Sequence, residues 1–111
     1  MEHTIYMEIC FKDERLKKLC EDHQSLCRKY GNKQADKIMQ RIGELQALEN
    51  LYDASKLPQL NLHPLKGSYS GFFAINLIQP YRMILFPENG VATDHKSTTK
   101  IKIIVPLVDY H

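Results

Sequence analysis

Phe72-Phe73-Ala74-Ile75-Asn76-Leu77-Ile78-Gln79-Pro80-Tyr81-Arg82-Met83-Ile84-Leu85-Phe86 is the stretch that decides the fold of this chain. Two apolar runs, Phe72 to Ile78 and Tyr81 to Phe86, flank a turn that holds Pro80. Short apolar runs bounded by turn residues predict strands. A connection this short makes such neighbours antiparallel. Arg82 faces opposite to Tyr81, Met83 and Leu85, because strand side chains alternate. An arginine in that position sits either on a solvated face or opposite an anion, and spacing leaves both open.

Working outward, Pro87-Glu88-Asn89-Gly90 marks a turn, and the polar residues 91–100 predict a surface loop. Ile101 to Val108 is the last strand, in which Pro106 predicts an edge position or a bulge near its end. On the other side, residues 53–62 form a connector that includes Pro58. Before it the period is helical. Leu16, Leu19, Cys20, His23, Leu26, Cys27 and Tyr30 share one stripe, with Asp13 as N-cap and Gly31 as the closing residue. Ala35, Ile38, Met39, Ile42, Leu45, Leu48 and Tyr52 form a second stripe, with Asn32 as its cap. Two helices joined so closely make an antiparallel αα-hairpin. Residues 4–11 alternate, with Ile5, Met7, Ile9 and Phe11 on one side, and predict a first strand. The order of strand, two helices and three or four strands predicts an α+β domain over residues 1–111, a small antiparallel sheet with the helical pair on one face.

A chain of 111 residues with 43% hydrophobic and 25% charged side chains fits one domain with one ordinary core. No run of eighteen apolar residues exists, so no transmembrane helix or membrane partner is expected. Met1-Glu2-His3-Thr4 lacks the basic-then-apolar layout of a signal peptide. Three cysteines without paired spacing argue against a disulfide framework and for a reducing cytoplasm. The net charge of +2 is too mild to name nucleic acid as a partner by itself. Its distribution is uneven. Residues 1–60 hold ten basic and ten acidic side chains, whereas residues 61–111 hold five basic and three acidic ones with His63, His95 and His111.

Four groups of residues carry potential chemistry. Cys20, His23 and Cys27 lie on one helical face and could face a soft metal, but their neighbours are apolar and no fourth ligand stands at suitable spacing, so core packing is the better account. The basic residues of the helices are interleaved with acids, as on a solvated face. In Leu62-His63-Pro64-Leu65-Lys66-Gly67, Pro64 holds His63 extended and Gly67 permits a turn or a close approach. By composition alone this is an ordinary loop. Finally, Asp109-Tyr110-His111 puts an acid, an aromatic and an imidazole directly behind an apolar strand.

Taken in order, His63-Pro64-Leu65-Lys66-Gly67, Gly71-Phe72-Phe73-Ala74-Ile75, Tyr81-Arg82-Met83-Ile84-Leu85-Phe86 and Asp109-Tyr110-His111 resemble the HigB-like branch of the RelE/ParE superfamily, the toxins of bacterial type II toxin–antitoxin modules. The helical segment from Leu26 to Gly31 and from Ala35 to Leu45 resembles the longer variant of that branch. The resemblance covers nearly the whole chain. It implies a small sheet with two N-terminal helices packed on it, and ribosome-dependent cleavage of messenger RNA. It further implies His111, Asp109, Lys66 and Arg82 as catalytic residues and His63 and Tyr110 as RNA contacts. Two departures from the family pattern stand out. Ser68 and Tyr69 follow the Lys-Gly where relatives often carry an acid and an arginine, and the loop from Asn89 to Lys100 is longer than in short members.

Those residue types suit metal-independent cleavage, with no cofactor, in which the 2′-OH attacks the adjacent phosphate. The reaction needs proton carriers near neutrality, for which His111 and His63 have the appropriate imidazoles. Asp109 is a second proton carrier or orients an imidazole. Lys66 and Arg82 offset the phosphorane charge, and Tyr110 stacks on or positions a base. The base and the acid stay unassigned. The implied partners are the ribosome with its mRNA and a helix-turn-helix antitoxin, the toxin alone being a monomer. Two other activities fit the same fold: inhibition of DNA gyrase, as in ParE-like toxins, and non-catalytic binding of RNA or the ribosome.

Overall fold

A computed structural model of the chain describes residues 6–109. The first strand, β1 (Glu8–Phe11), is followed by three helices, α1 (Glu14–Glu21), α2 (His23–Tyr30) and α3 (Asn32–Gln46), and by a short α4 (Leu51–Ser55). The remaining strands are β2 (His63–Pro64), β3 (Phe73–Asn76), β4 (Tyr81–Pro87) and β5 (Lys100–Asp109). They form one five-stranded sheet in the order β1-β5-β4-β3-β2. All neighbours are antiparallel except β1 and β5, which run parallel. The architecture is therefore α+β, with four helices and a mostly antiparallel open sheet. The expected wholly antiparallel sheet is corrected in that one pairing. The connection from β1 to β5 runs over residues 12–99 and therefore far exceeds the dozen or so residues that a parallel crossover requires.

The single helix expected between Asp13 and Gly31 is two. Asp13 caps α1 by accepting the Leu16 N–H at 2.8 Å. Asp22 then leaves the helical region, at φ −116° and ψ 103°. Its carboxylate accepts the Gln24 N–H at 3.1 Å and the Ser25 hydroxyl at 2.6 Å, and so restarts the chain as α2. The apolar stripe continues across the break, which is why periodicity alone did not reveal it. Gly31, at φ +85°, ends α2 and is also the N-cap of α3, so Asn32 is the first helical residue rather than the cap. The second stripe is likewise divided. Its members Ala35, Ile38, Met39, Ile42 and Leu45 belong to α3, Leu48 lies between the helices, and Tyr52 belongs to α4, which is capped by Asn50 and buries Leu51 and Ala54 instead. Part of the expected connector is thus helical.

The last strand spans Lys100–Asp109 and is covered by β1 only over Lys100–Ile103, so beyond Ile103 that side of β5 has no strand neighbour among the described residues and Pro106 takes the expected edge position. The bulge is present. The ladder is irregular between Ile84↔Val105 and Arg82↔Val108, and Pro106 falls in that interval, where a missing N–H costs no ladder bond. The polar segment 91–100 contains a 3-10 turn at His95–Ser97 and the buried Thr98 as well as surface residues.

The sheet separates two apolar clusters. The larger takes Met83, Leu85, Ile75, Ile101 and Ile103 from the sheet, and Leu26, Ile38, Leu45 and Leu51 from the helices. Each such buried aliphatic side chain contributes about 1.5–3 kcal/mol. The smaller cluster, Leu65, Ala74 and Ile84 with Phe72, Ile104, Val105 and Val108 against it, includes no helical residue. Among the described residues no helix is long and apolar enough to cross a membrane. Cys10, Cys20 and Cys27 are free thiols.

Candidate functional site

The candidate site is the second face of the sheet, the one that holds the smaller cluster. Register defines its rows. His63 stands opposite Ala74, which stands opposite Ile84, which stands opposite Val105. One step along, Asn76 stands opposite Arg82, which stands opposite Val108. Directly opposed residues share a face, so Arg82, Asn76 and His63 rise from the same side as Ile84. Aromatic rings close the other end: Phe72 lies 5.0 Å from Phe86 between centroids and 5.9 Å from Tyr69.

Arg82 is half-buried, and its Nη1 donates to Gln79 Oε1 at 3.0 Å and to the carbonyls of Pro80 and Tyr81 at 3.2 and 3.1 Å. These bonds tie the guanidinium to the β3–β4 turn. They leave Nε and Nη2 with no protein acceptor among the described residues, so two donor positions remain for an anion. His63 Nδ1 lies 2.7 Å from the carbonyl of Asn61, a residue at φ +46° whose Nδ2 reaches Asn76 Oδ1 at 3.4 Å. A proton on Nδ1 serves that bond, and the lone pair of the neutral ring is then on Nε2. Asn61 and Asn76 were not singled out in the sequence. The visible signal was a lone polar residue inside the run Phe72 to Ile78.

Asp109 is exposed and stands opposite Tyr81, one ladder position from the Arg82↔Val108 pair. Tyr81 and Leu107 pack on the helical side and Val108 on the other, so alternation sets Asp109 on the side of Tyr81. Lys66 is exposed and follows Leu65, whose N–H donates to the Phe72 carbonyl at 2.9 Å. By the same register Lys66 stands level with Gly71, five residues along the sheet from Asn76 and two strands from Arg82, roughly 19 Å of backbone separation. Tyr110 and His111 lie outside the described residues. The register thus gathers Arg82 and His63 on one face, sets Asp109 on the neighbouring strand end, and places Lys66 toward the aromatic end.

The helical cysteine group divides. Burial, followed by the Glu21 charge, pushes the Cys20 thiol up to about 11, so it behaves as a small apolar residue. His23 Nε2 lies 2.6 Å from Asp36 Oδ1, and Cys27 Sγ lies 3.5 Å from the same ring. Among the described residues no group of three or more His, Cys, Asp or Glu side chains is arranged to hold a metal ion.

Compared with protein-family models, with curated proteins and with solved structures, the chain has no match.

Proposed function

We propose that this chain is a toxin of a type II toxin–antitoxin module, of the RelE/ParE kind, that cleaves messenger RNA on the ribosome. The observation that carries the proposal is the ladder register at the end of β5: Asp109 pairs with Tyr81 and Val108 with Arg82, so the described part of β5 ends beside the strand position of Arg82. An acid, an aromatic and an imidazole follow one another at that point of the sequence.

In this mechanism the RNA backbone lies on the helix-free face. Arg82 offsets the charge that develops as the 2′-OH attacks, an effect of about 2.7–4 kcal/mol per preorganised donor in comparable enzymes, and Lys66 holds a phosphate further along the strand. His111 moves the proton together with Asp109, His63 contacts the RNA, and Tyr110 positions a base. Register sets Asp109 on the side of Tyr81 rather than on the Arg82 face, so in this reading its carboxylate orients the imidazole from the strand end and does not itself meet the RNA. The bond that breaks is P–O5′, so the products carry a 2′,3′-cyclic phosphate and a 5′-OH. Antitoxin and ribosome are the partners of this proposal.

Primer extension on cellular mRNA after brief induction tests it. The intact chain is expected to give discrete cuts within translated reading frames, with 5′-OH ends. A version lacking residues 109–111 and His111→Ala are expected to give none. Cuts that carry 5′-phosphates, or cuts that survive the truncation, overturn the mechanism. Growth arrest without RNA cuts but with inhibition of supercoiling by gyrase overturns the activity in favour of the ParE-like one.

A further inference from the structure

A cavity lies at the end of β4 away from the Arg82 turn, under the segment that joins β4 to β5. It is a cleft of about 480 Å³. Small-molecule sites fall in this size range and are mostly apolar with a few placed polar groups. Its walls include Leu51, Leu65, Phe72, Phe73 and His95. The His95 ring stands edge-on to Phe73, 5.4 Å between centroids at 80°, and neither ring nitrogen makes a hydrogen bond among the described residues. The charged residue in the wall is Glu88, and its carboxylate is 2.6 Å from Lys102 Nζ, so the wall carries little net charge.

The rim is different. Tyr52 follows the wall residue Leu51, and Lys96 follows His95. Lys56 Nζ lies 4.4 Å and Lys96 Nζ 4.9 Å from the centroid of the Tyr52 ring. The quadrupole of one exposed ring attracts both ammonium groups. Neither forms an ion pair among the described residues, and the nearby Asp94 carboxylate is engaged by the Lys96 backbone N–H. Two ammonium groups beside one ring, in no ion pair among the described residues, put positive charge at the rim that an anion would meet.

We propose that this cleft binds a nucleotide, with the base among Phe72, Phe73 and His95 and the phosphate at Lys56 and Lys96. Flat aromatic surroundings accept any base by stacking or edge contact, and an imidazole nitrogen without a partner is available to a base edge. A free nucleotide and a nucleotide within an RNA strand share this chemistry. Phe72 and Leu65 belong both to the cleft and to the helix-free face, so one strand of RNA has a continuous path between the two. The proposal goes beyond the ribonuclease mechanism and survives its failure, because binding needs no cleavage.

Titration of the full chain with 5′-AMP, adenosine, inorganic phosphate and a single-stranded pentanucleotide, followed amide by amide in NMR, tests it. 5′-AMP is expected to shift Phe73, His95 and Lys96, and to bind more tightly than adenosine. The exposed double variant Lys56→Gln/Lys96→Gln is expected to weaken 5′-AMP by about fivefold and leave adenosine unchanged. Tighter binding of the pentanucleotide, with shifts that extend to Arg82, identifies the ligand as RNA. Equal binding of pentanucleotide and 5′-AMP identifies a free nucleotide. No shifts in the cleft at about 10 mM 5′-AMP, equal affinity for adenosine and 5′-AMP, or the same shifts with inorganic phosphate alone overturn the proposal.

Discussion

Arg41 is 5% exposed and is the one charged side chain that the described structure buries. Its Nε donates to the Asn76 carbonyl at 2.8 Å, its Nη1 to Glu44 Oε1 at 2.6 Å, and its Nη2 to the Gln59 carbonyl at 3.2 Å. One side chain thus ties α3 to the end of β3 and to the connector before β2. The Asn76 it fixes is the residue opposite Arg82, which links this core contact to the candidate site. Breaking a buried pair by removing one partner costs about 3–5 kcal/mol, because the other charge is left behind. Arg41→Met keeps the apolar stem, and Glu44 is 23% exposed, so a loss near 3 kcal/mol is expected in urea denaturation. An unchanged midpoint would mean that the guanidinium contributes no net stability. Glu44 adds a pH dependence. Burial is the largest single influence and opposes its charge, but hydrogen bonds from Arg41 and Gln59 and the charges of Arg41 and Lys37 outweigh it and hold the carboxyl below 4.5. The unfolded chain therefore binds more protons than the folded one between those two values. The stabilisation is complete above the unfolded value, declines as pH falls through the lowered folded value, and is absent below it. Thermal melts are expected to show the difference between the intact chain and Glu44→Gln shrinking as pH drops from 6 toward 3. A difference that stays constant across that range would refute the linkage.

At the scale of elements, the strands were legible wherever an apolar run met a turn, as at Pro80, whereas helix breaks were not. Asp22 interrupts the first stripe without disturbing its spacing, since Leu19, Cys20 and Leu26 still face one core. The break comes from a local competition. A short carboxylate satisfies the N–H of Gln24 and the hydroxyl of Ser25, which an uninterrupted helix would not use in this way. The segment between β4 and β5 was read as polar surface, and it also walls the cleft. Its geometry depends on Asn89, whose Oδ1 accepts the N–H groups of Thr99 and Lys100 at 2.9 and 3.1 Å. It depends equally on Gly90, at φ +84°, where an added Cβ would lie 2.7 Å from the Ser97 carbonyl group. Gly90→Ala meets both left-handed backbone strain and a backbone clash, and is expected to cost about 1–3 kcal/mol. Hydrogen exchange should locate the effect. Faster exchange at Thr99 and Lys100, with β1 and β3 unchanged, is the expected pattern, and uniform acceleration would mean that Gly90 supports the whole sheet instead.

For the whole molecule, the α+β class followed from element order, but the neighbours in the sheet did not. Alternation in residues 4–11 identifies a strand and not its partner, and the parallel pairing of β1 with β5 depends on how α1 to α3 cover the sheet. The candidate site was legible as residue types and only partly as a place. Arg82 and His63 share a face because their register steps are even, a fact of pairing that no single segment contains. Charge is the property of the whole chain that bears on RNA. Fifteen basic and thirteen acidic side chains leave +2, and Lys100 and Lys102 are paired with Glu8 and Glu88 at 3.2 and 2.6 Å. Arg82 and His63 on the helix-free face, with Lys66 toward its aromatic end, are enough for two or three phosphates. Each phosphate neutralised contributes about −0.7 to the slope of log affinity against log salt for single strands, so a slope near −2 is expected with free RNA. Under the proposed activity, such a charge gives weak binding to free RNA, and a large anionic surface such as the ribosome would hold the substrate in place. Fluorescence anisotropy of a labelled single strand at several salt concentrations measures the slope. A value of about −5 or steeper would mean that the basic residues of α1 to α3 also grip the strand, and RNA would then lie across the helical layer rather than on the face opposite to it.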